Sequence, residues 1–464
     1  MKFSIKSAVL SAVVTSLALP YTAYATNGAW LTGFGAISRS MGGTGVADNR
    51  GGLAAAFNPA TMIDSGNRFD IGADLFIPPR KAKHESGVLG YTDEQSNHDL
   101  FLIPNMGGTY ELNEKSTVGF AFIGAGLKTE YNQTINSDSC NAVNAGAIPG
   151  YTNCPPTFFN YVQGAATEVG VELVQMQVLP SIAYKMNENH TIGATFVMAA
   201  SFFRAEGLEN FESLGFTAGS GDFTSGHFDQ AYGAGFRLGW LGKFTKNDKL
   251  KLGVNYSSTV WMGKLDAYRN LFAEQGGFNI PENYSAGIAY DFTPAVTATF
   301  DVQRINWSNV RSIGNPGPLI DQADTGNLFP LCPLGTDQSS CLMGGYNGLG
   351  FGWTDQTIYK IGADWAINEK WNARAGWNYG KSPIEADQVL FNMLAPATPE
   401  HHLTLGVGYE LSETFVIDGS FVYAFSNVIN GPTAFGPGGA TVEGTNASID
   451  MIQMSFGASL GIRF

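Results

Sequence analysis

The chain has 464 residues, with 26 Lys and Arg against 40 Asp and Glu and a formal net charge of −14. That acidity argues against nucleic acid as a partner. Beyond the N-terminus no stretch is apolar enough for a membrane helix, which leaves an exported chain as periplasmic, secreted or an outer-membrane barrel. The 58 glycines and the 12% of aromatic residues fit the barrel, with glycine where wall and lumen contents crowd and aromatics at the membrane interfaces.

Residues 1–25 read as a cleaved export signal. Lys2 and Lys6 give the positive start, Ala8 to Leu19 the apolar run, and Ala23-Tyr24-Ala25 the small residues of a cleavage site. The apolar run is well short of the roughly 20 residues a spanning helix needs. Residues 26–68 follow with neither helix nor strand periodicity. They are rich in Gly and Ala, yet Trp30, Leu31, Phe34, Met41 and Phe57 favour packing against a wall over a free tail. Gly43-Thr44-Gly45 follows no strand and lacks the lysine of a phosphate-binding loop.

From residue 69 to residue 464 long alternating stretches are separated by six tight turns and seven long connections. The turns are Asn113-Glu114-Lys115, Asn187-Glu188-Asn189, Lys246-Asn247-Asp248, Thr293-Pro294, Asn368-Glu369-Lys370 and Ser412-Glu413-Thr414. The long connections cover roughly 80–99, 129–166, 207–229, 266–281, 306–355, 381–398 and 429–447. That makes fourteen strands, with short turns on the periplasmic side and long loops outside. Alternation holds strand by strand: Leu403, Leu405, Val407 and Tyr409 oppose His402, Thr404, Gly406 and Gly408. Over 448–464, Ile452, Met454, Phe456, Leu460 and Phe464 oppose Gln453, Ser455, Ser459 and Arg463. The polar face holds few charges and much Gly and Ser, as a filled lumen requires. A sheet in lipid must close on itself, so the predicted fold is an all-β, 14-stranded antiparallel transmembrane barrel.

Four cysteines fall into two local pairs, Cys140 with Cys154 and Cys332 with Cys341, and read as two loop-stapling disulfides. Metal binding is the weaker alternative, because no His lies near either pair.

Gly33-Phe34-Gly35-Ala36-Ile37-Ser38-Arg39-Ser40-Met41-Gly42-Gly43 and Ala54-Ala55-Ala56-Phe57-Asn58-Pro59-Ala60 resemble the N-terminal hatch of FadL-type transporters, the OmpP1/FadL/TodX family. Leu179-Pro180-Ser181-Ile182-Ala183-Tyr184, Asn306-Trp307-Ser308 and Pro399-Glu400-His401-His402 extend the resemblance over the whole mature chain. It implies an outer-membrane monomer, in contact with lipid, that passes fatty acids or aromatic hydrocarbons without a cofactor. It further implies that a hatch filling the lumen rearranges and that cargo leaves sideways through a kink in the third strand. By position that strand is Thr117 to Lys128, with Gly124-Ala125-Gly126 as the kink and Asn58-Pro59-Ala60 as the gate element beside it. The plainer alternatives are that the glycines only relieve crowding and that Asn-Pro is an ordinary turn.

For ligand contacts the sequence offers Phe158 and Phe159, with Asn160-Tyr161 and Leu271-Phe272, as an outer landing site, or else as aromatics that cap the barrel. Lys360, Arg374 and Arg463 face the lumen and suit a carboxylate head group. The alternative is that they pair with Asp301, Asp364, Glu410 and Asp418 and anchor the hatch. Two rival functions stand beside transport of a hydrophobic compound. A general diffusion porin would lack the packed leading segment, and a lipid-modifying enzyme would need partners for His401 and His402 that the sequence does not supply.

Overall fold

The computed structural model describes residues 27–86, 90–132, 168–213, 216–317, 337–432 and 446–464. Fourteen antiparallel strands form one closed sheet. We number them β1 (Arg68–Ile77, continued by Arg80–Ser86), β2 (Phe101–Asn113, preceded by Gly90–Gln95), β3 (Ser116–Asn132) and β4 (Glu168–Val178 and Ser181–Lys185). Then come β5 (His190–Glu206), β6 (Asp229–Phe244), β7 (Leu250–Ser257 and Trp261–Met262), β8 (Asn283–Thr293) and β9 (Val296–Ile305). The last five are β10 (Gln356–Ala366), β11 (Trp371–Gly380), β12 (His401–Glu410), β13 (Phe415–Pro432) and β14 (Asn446–Arg463). The ring shuts where β1 pairs with β14, from Arg68 opposite Arg463 to Ile77 opposite Met454.

Side-chain alternation sorts the two faces as the sequence predicts. On β12 and β14, Leu403, Leu405, Val407, Phe456 and Leu460 are exposed, while His402, Thr404, Gln453 and Ser455 are buried. Rings gather outside at the ends near the short turns. Tyr110 stacks on Phe464 at 6.5 Å, Trp371 meets Tyr409 at 4.5 Å, and Tyr290 meets Phe292 at 4.9 Å. All six short turns fall where the turn residues place them.

The first long connection differs from expectation. Most of 80–99 is strand: Arg80–Ser86 pairs with Gly90–Gln95 and with Asn446–Met451 of β14. The reason is chemical. The inner parity is Arg80, Ala82 and His84, all buried, but two of the three are polar, so the ladder has no greasy parity to announce it.

Residues 27–67 run against the inner face of the strands. The short helix α1 (Gly35–Ser40) packs on β1 and on β11 through β14, and the 3₁₀ turn Pro59–Asp64 packs on β3 through β6. Glycines on the wall make this approach close. A Cβ on Gly239 would fall within van der Waals contact of Asn58 Oδ1, one on Gly253 would lie 2.0 Å from Val46 O, and one on Gly376 2.2 Å from Gly42 N. These positions lie on β6, β7 and β11, on different sides of the ring. Only a residue without a side chain lets two backbones meet at such distances.

Candidate functional site

Three features meet around the leading segment: a set of clasps, a cavity and a break in the wall.

The clasps are hydrogen bonds and ion pairs that join the leading segment to the wall. Asn58 is fully buried. Its Oδ1 accepts from Ala60 N at 3.0 Å, capping the turn that Pro59 opens, and its Nδ2 donates to Val46 O at 2.8 Å and to Trp240 O of β6 at 2.9 Å. A carboxamide alone supplies one acceptor and two donors at this size. Asp301 on β9 accepts from Gly45 N and Val46 N at 2.8 and 3.1 Å. Lys360 on β10 donates to Thr32 O and Gly43 O, both at 3.3 Å. Arg237 on β6 donates to Ala55 O at 3.1 Å and also to Ala56 O. Ion pairs add to these: Arg39 with Asp74 at 3.0 Å, Lys251 with Asp48 at 2.6 Å and Lys243 with Asp64 at 2.5 Å. Burial in this crowded lumen keeps such pairs out of the screening that weakens surface pairs.

The cavity lies between the leading segment and the wall. One side is apolar, formed by Trp30, Leu31, Phe34 and Phe57 of the leading segment with Ile123 and Ala125 of β3. The far side comes from β6 through β10 and carries Arg237, Asp301 and Lys360. A second, apolar cleft lies among the outer loops, lined by Phe203, Leu208, Phe211, Leu271, Phe272 and Phe391 among others.

The break lies between β2 and β3. Their ladder runs from Asn113 opposite Ser116 only as far as Met106 opposite Phe122. Beyond that point Phe101–Asn105 pair with β1 and Ile123–Asn132 pair with β4. Among the described residues no ladder pairing joins Ile123–Thr129 to β2; contact resumes where Asn97 N donates to Glu130 O at 2.8 Å. Pro104 sits on the β2 side of this stretch and brings no N–H to either neighbour. Leu31 and Phe34 of the leading segment pack there with Phe76, Phe101, Ile103 and Leu127.

The residues singled out from the sequence are placed as follows. Gly124-Ala125-Gly126 begins two residues past the last β2–β3 pair, and Gly124 and Ala125 line the cavity. Lys360 also lines it, whereas Arg374 does not. Arg374 sits in a separate polar cavity near the short turns, bound to Asp418 at 2.6 Å and Asp364 at 3.4 Å. Arg463 pairs with Glu410 at 2.7 Å. Phe158, Phe159, Cys140, Cys154 and Cys332 lie outside the described residues, while Cys341 is disulfide-bonded. His401 lies outside, 4.7 Å from Tyr379, and His402 is fully buried on the lumen face, so the doublet does not converge on one point. Sequence reasoning missed Arg237 and Pro104. Each carried a signal: a lone cation between Gly235 and Gly239 on the lumen parity, and a proline inside a strand run.

Residues 153–433 match the profile of the outer membrane protein transport proteins, OMPP1/FadL/TodX. The chain belongs to this family. As a member, it is an outer-membrane transport channel of the β-barrel type. Its fold is that of the Pseudomonas putida toluene transporter TodX, with 19% identity over 93% of this chain and 99% of that one and a TM-score of 0.64. The Ralstonia pickettii toluene transporter TbuX aligns at 18% identity over 93% and 99%, TM-score 0.58. A Pseudomonas aeruginosa FadL homologue aligns at 14% over 93% and 98%, TM-score 0.61. No curated protein matches the chain.

Proposed function

We propose that this channel takes up hydrophobic small molecules, aromatic hydrocarbons or long-chain fatty acids, by passive passage from the outer loops to a side exit in the barrel wall. Cargo lands in the apolar cleft around Phe211 and Phe272 and moves to the cavity against Phe34 and Phe57. The residues 26–68 act as the hatch. Cargo displaces Leu31 and Phe34 from the unpaired stretch of β3, and leaves into the membrane past Gly124-Ala125-Gly126. Asn58-Pro59-Ala60 is the part of the gate that stays clasped to β6 while the stretch before it moves. The observation that carries this reading is that the cavity is bounded on one side by the hatch and on another by the part of β3 lacking β2 pairing. An apolar molecule in that cavity keeps about 0.8 kcal/mol per CH₂ that an aqueous pore would forfeit.

The test is uptake of labelled toluene and oleate by cells relying on this channel, comparing the wild type with Ala125→Trp, which fills the cavity mouth. The reading requires loss of uptake at an unchanged level of folded protein. Undiminished uptake through the blocked variant would remove the side exit from the mechanism.

A further inference from the structure

Part of the cavity wall opposite the aromatic residues is polar but uncharged. Asn255 and Ser257 on β7, Asn283 and Ser285 on β8 and Gln303 on β9 all line it. They are cross-strand neighbours: Ser257 is opposite Asn283, Asn255 opposite Ser285, and Ser285 opposite Gln303. Asn255 and Asn283 are each only 3% exposed. Gln303 Nε2 donates to Asn283 Oδ1 at 3.2 Å, which sets that carboxamide with its NH₂ turned away from Gln303. Among the described residues nothing hydrogen-bonds to Asn283 Nδ2 or Asn255 Oδ1, which are both buried, one a donor and one an acceptor.

Buried polar atoms without partners are rare enough that each needs a physical explanation. Each charged group of the same cavity holds the hatch through at least one atom, although among the described residues Arg237 Nε and Asp301 Oδ1 are themselves unpaired. Lys360 and Arg237 donate to hatch carbonyls, and Asp301 accepts from hatch amides. The uncharged patch has no such engagement. As diagonal neighbours on paired strands, Asn255 and Asn283 stand roughly 7–8 Å apart at their side-chain roots. One hydroxyl between them donates to Asn255 Oδ1 and accepts from Asn283 Nδ2.

We infer that Asn255 and Asn283 determine specificity, selecting a hydrophobic molecule that carries one uncharged hydroxyl over the matching bare hydrocarbon. The inference rests on the cavity being the cargo site. The apolar body lies against Phe34, Phe57 and Ile123, and the hydroxyl points to β7 and β8. A bare hydrocarbon in the same place would leave both amide groups unpaired, the arrangement by which polar sites reject analogues that lack the polar group.

The experiment uses the full, detergent-solubilised protein and three probes of one shape: p-cresol, p-xylene and 4-methylbenzoate. Binding is followed by tryptophan fluorescence, Trp30 being part of the cavity lining. Partition into micelles is corrected with a boiled sample. The wild type should bind p-cresol about tenfold tighter than p-xylene, the value of one satisfied buried hydrogen bond. Asn255→Leu and Asn283→Leu should bring the two within about twofold while keeping p-xylene binding. Equal binding of p-cresol and p-xylene by the wild type overturns the inference, and needs no variant to fold. Tightest binding of 4-methylbenzoate also overturns it, by placing the head group on Lys360 and Arg237. Failure of all three probes to bind sinks the cargo-site reading itself, and this inference with it.

Discussion

Gly376→Ala tests whether the close seating of the hatch keeps the barrel shut. A Cβ there would lie 2.2 Å from Gly42 N and 2.3 Å from Met41 C, both main-chain atoms. Normal contact distances call for a shift of about 1 Å. The strand cannot supply it, because Gly376 is paired on both sides, with Gly362 and with Thr404. The hatch must move instead. Its movement breaks Gly42 N to Thr404 Oγ1 (2.8 Å), Thr404 Oγ1 to Ser40 O (3.0 Å) and Asn378 Nδ2 to Gly42 O (3.1 Å). Overpacking and three lost hydrogen bonds together come to roughly 3–7 kcal/mol of hatch seating. The barrel itself keeps its strand pairing and still resists unfolding in cold detergent. The assay is planar-bilayer recording of the purified protein. The wild type should pass little steady current, and Gly376→Ala should show open-channel steps. Gly419→Ala is the control, since a Cβ there comes no nearer than 3.7 Å to Val407 Cγ2. A folded Gly376→Ala protein as closed as the control would refute the reasoning.

Asn58→Asp keeps the shape but sets a carboxylate against Val46 O and Trp240 O, so hatch seating should weaken by about 2–4 kcal/mol, read as faster protease cleavage within residues 40–60. Phe34→Ala removes a ring 5.7 Å from Phe57 and part of the cavity lining; affinity for toluene should fall about tenfold by fluorescence titration, and an unchanged affinity takes Phe34 out of the cargo site. Burial pushes the Asp48 carboxyl up, but the cations Arg50 and Lys251 outweigh it and hold it below its ordinary value of 3.8. Its contribution to seating is therefore complete above that value and lost as pH falls through the lowered one. Acid-induced current in bilayers should begin only below about pH 4, and Asp48→Asn should show raised current already at pH 7.

The barrel was legible because lipid on one side and a filled lumen on the other impose opposite chemistry at every second residue, as in Leu403 against Thr404. The turns were legible because Asn187 and Asn368 bond their own loops, each Oδ1 accepting from backbone two residues on. The outer extension of β1 was not, since its buried parity carries the polar Arg80 and His84 around Ala82. Nor was the break beside β3. Strand periodicity reports what a residue faces, while the break depends on which edge finds a partner, and Pro104 was the one local sign of it. The clasps were half legible. Lumen parity pointed to Asp301, Lys360 and Arg374, and the hairpin at 368–370 sets Asp364 opposite Arg374, yet the partners of Asp301 and Lys360 are main-chain atoms that no spacing reveals. Arg374, matched with Asp418 and Asp364, and Lys360, set on carbonyls of the leading segment, separated only in three dimensions.

The seat of the leading segment has a consequence for biogenesis. Gly42 N meets Thr404 Oγ1 across 362 positions of chain, and Arg39 meets Asp74 on the strand that seals the ring against β14. The leading segment thus has no complete resting place until the late strands are in position. Contacts this remote in sequence form slowly. Asp74, which holds Arg39, is itself a seam residue opposite Gly457, so seating of the segment and closure of the ring share one strand.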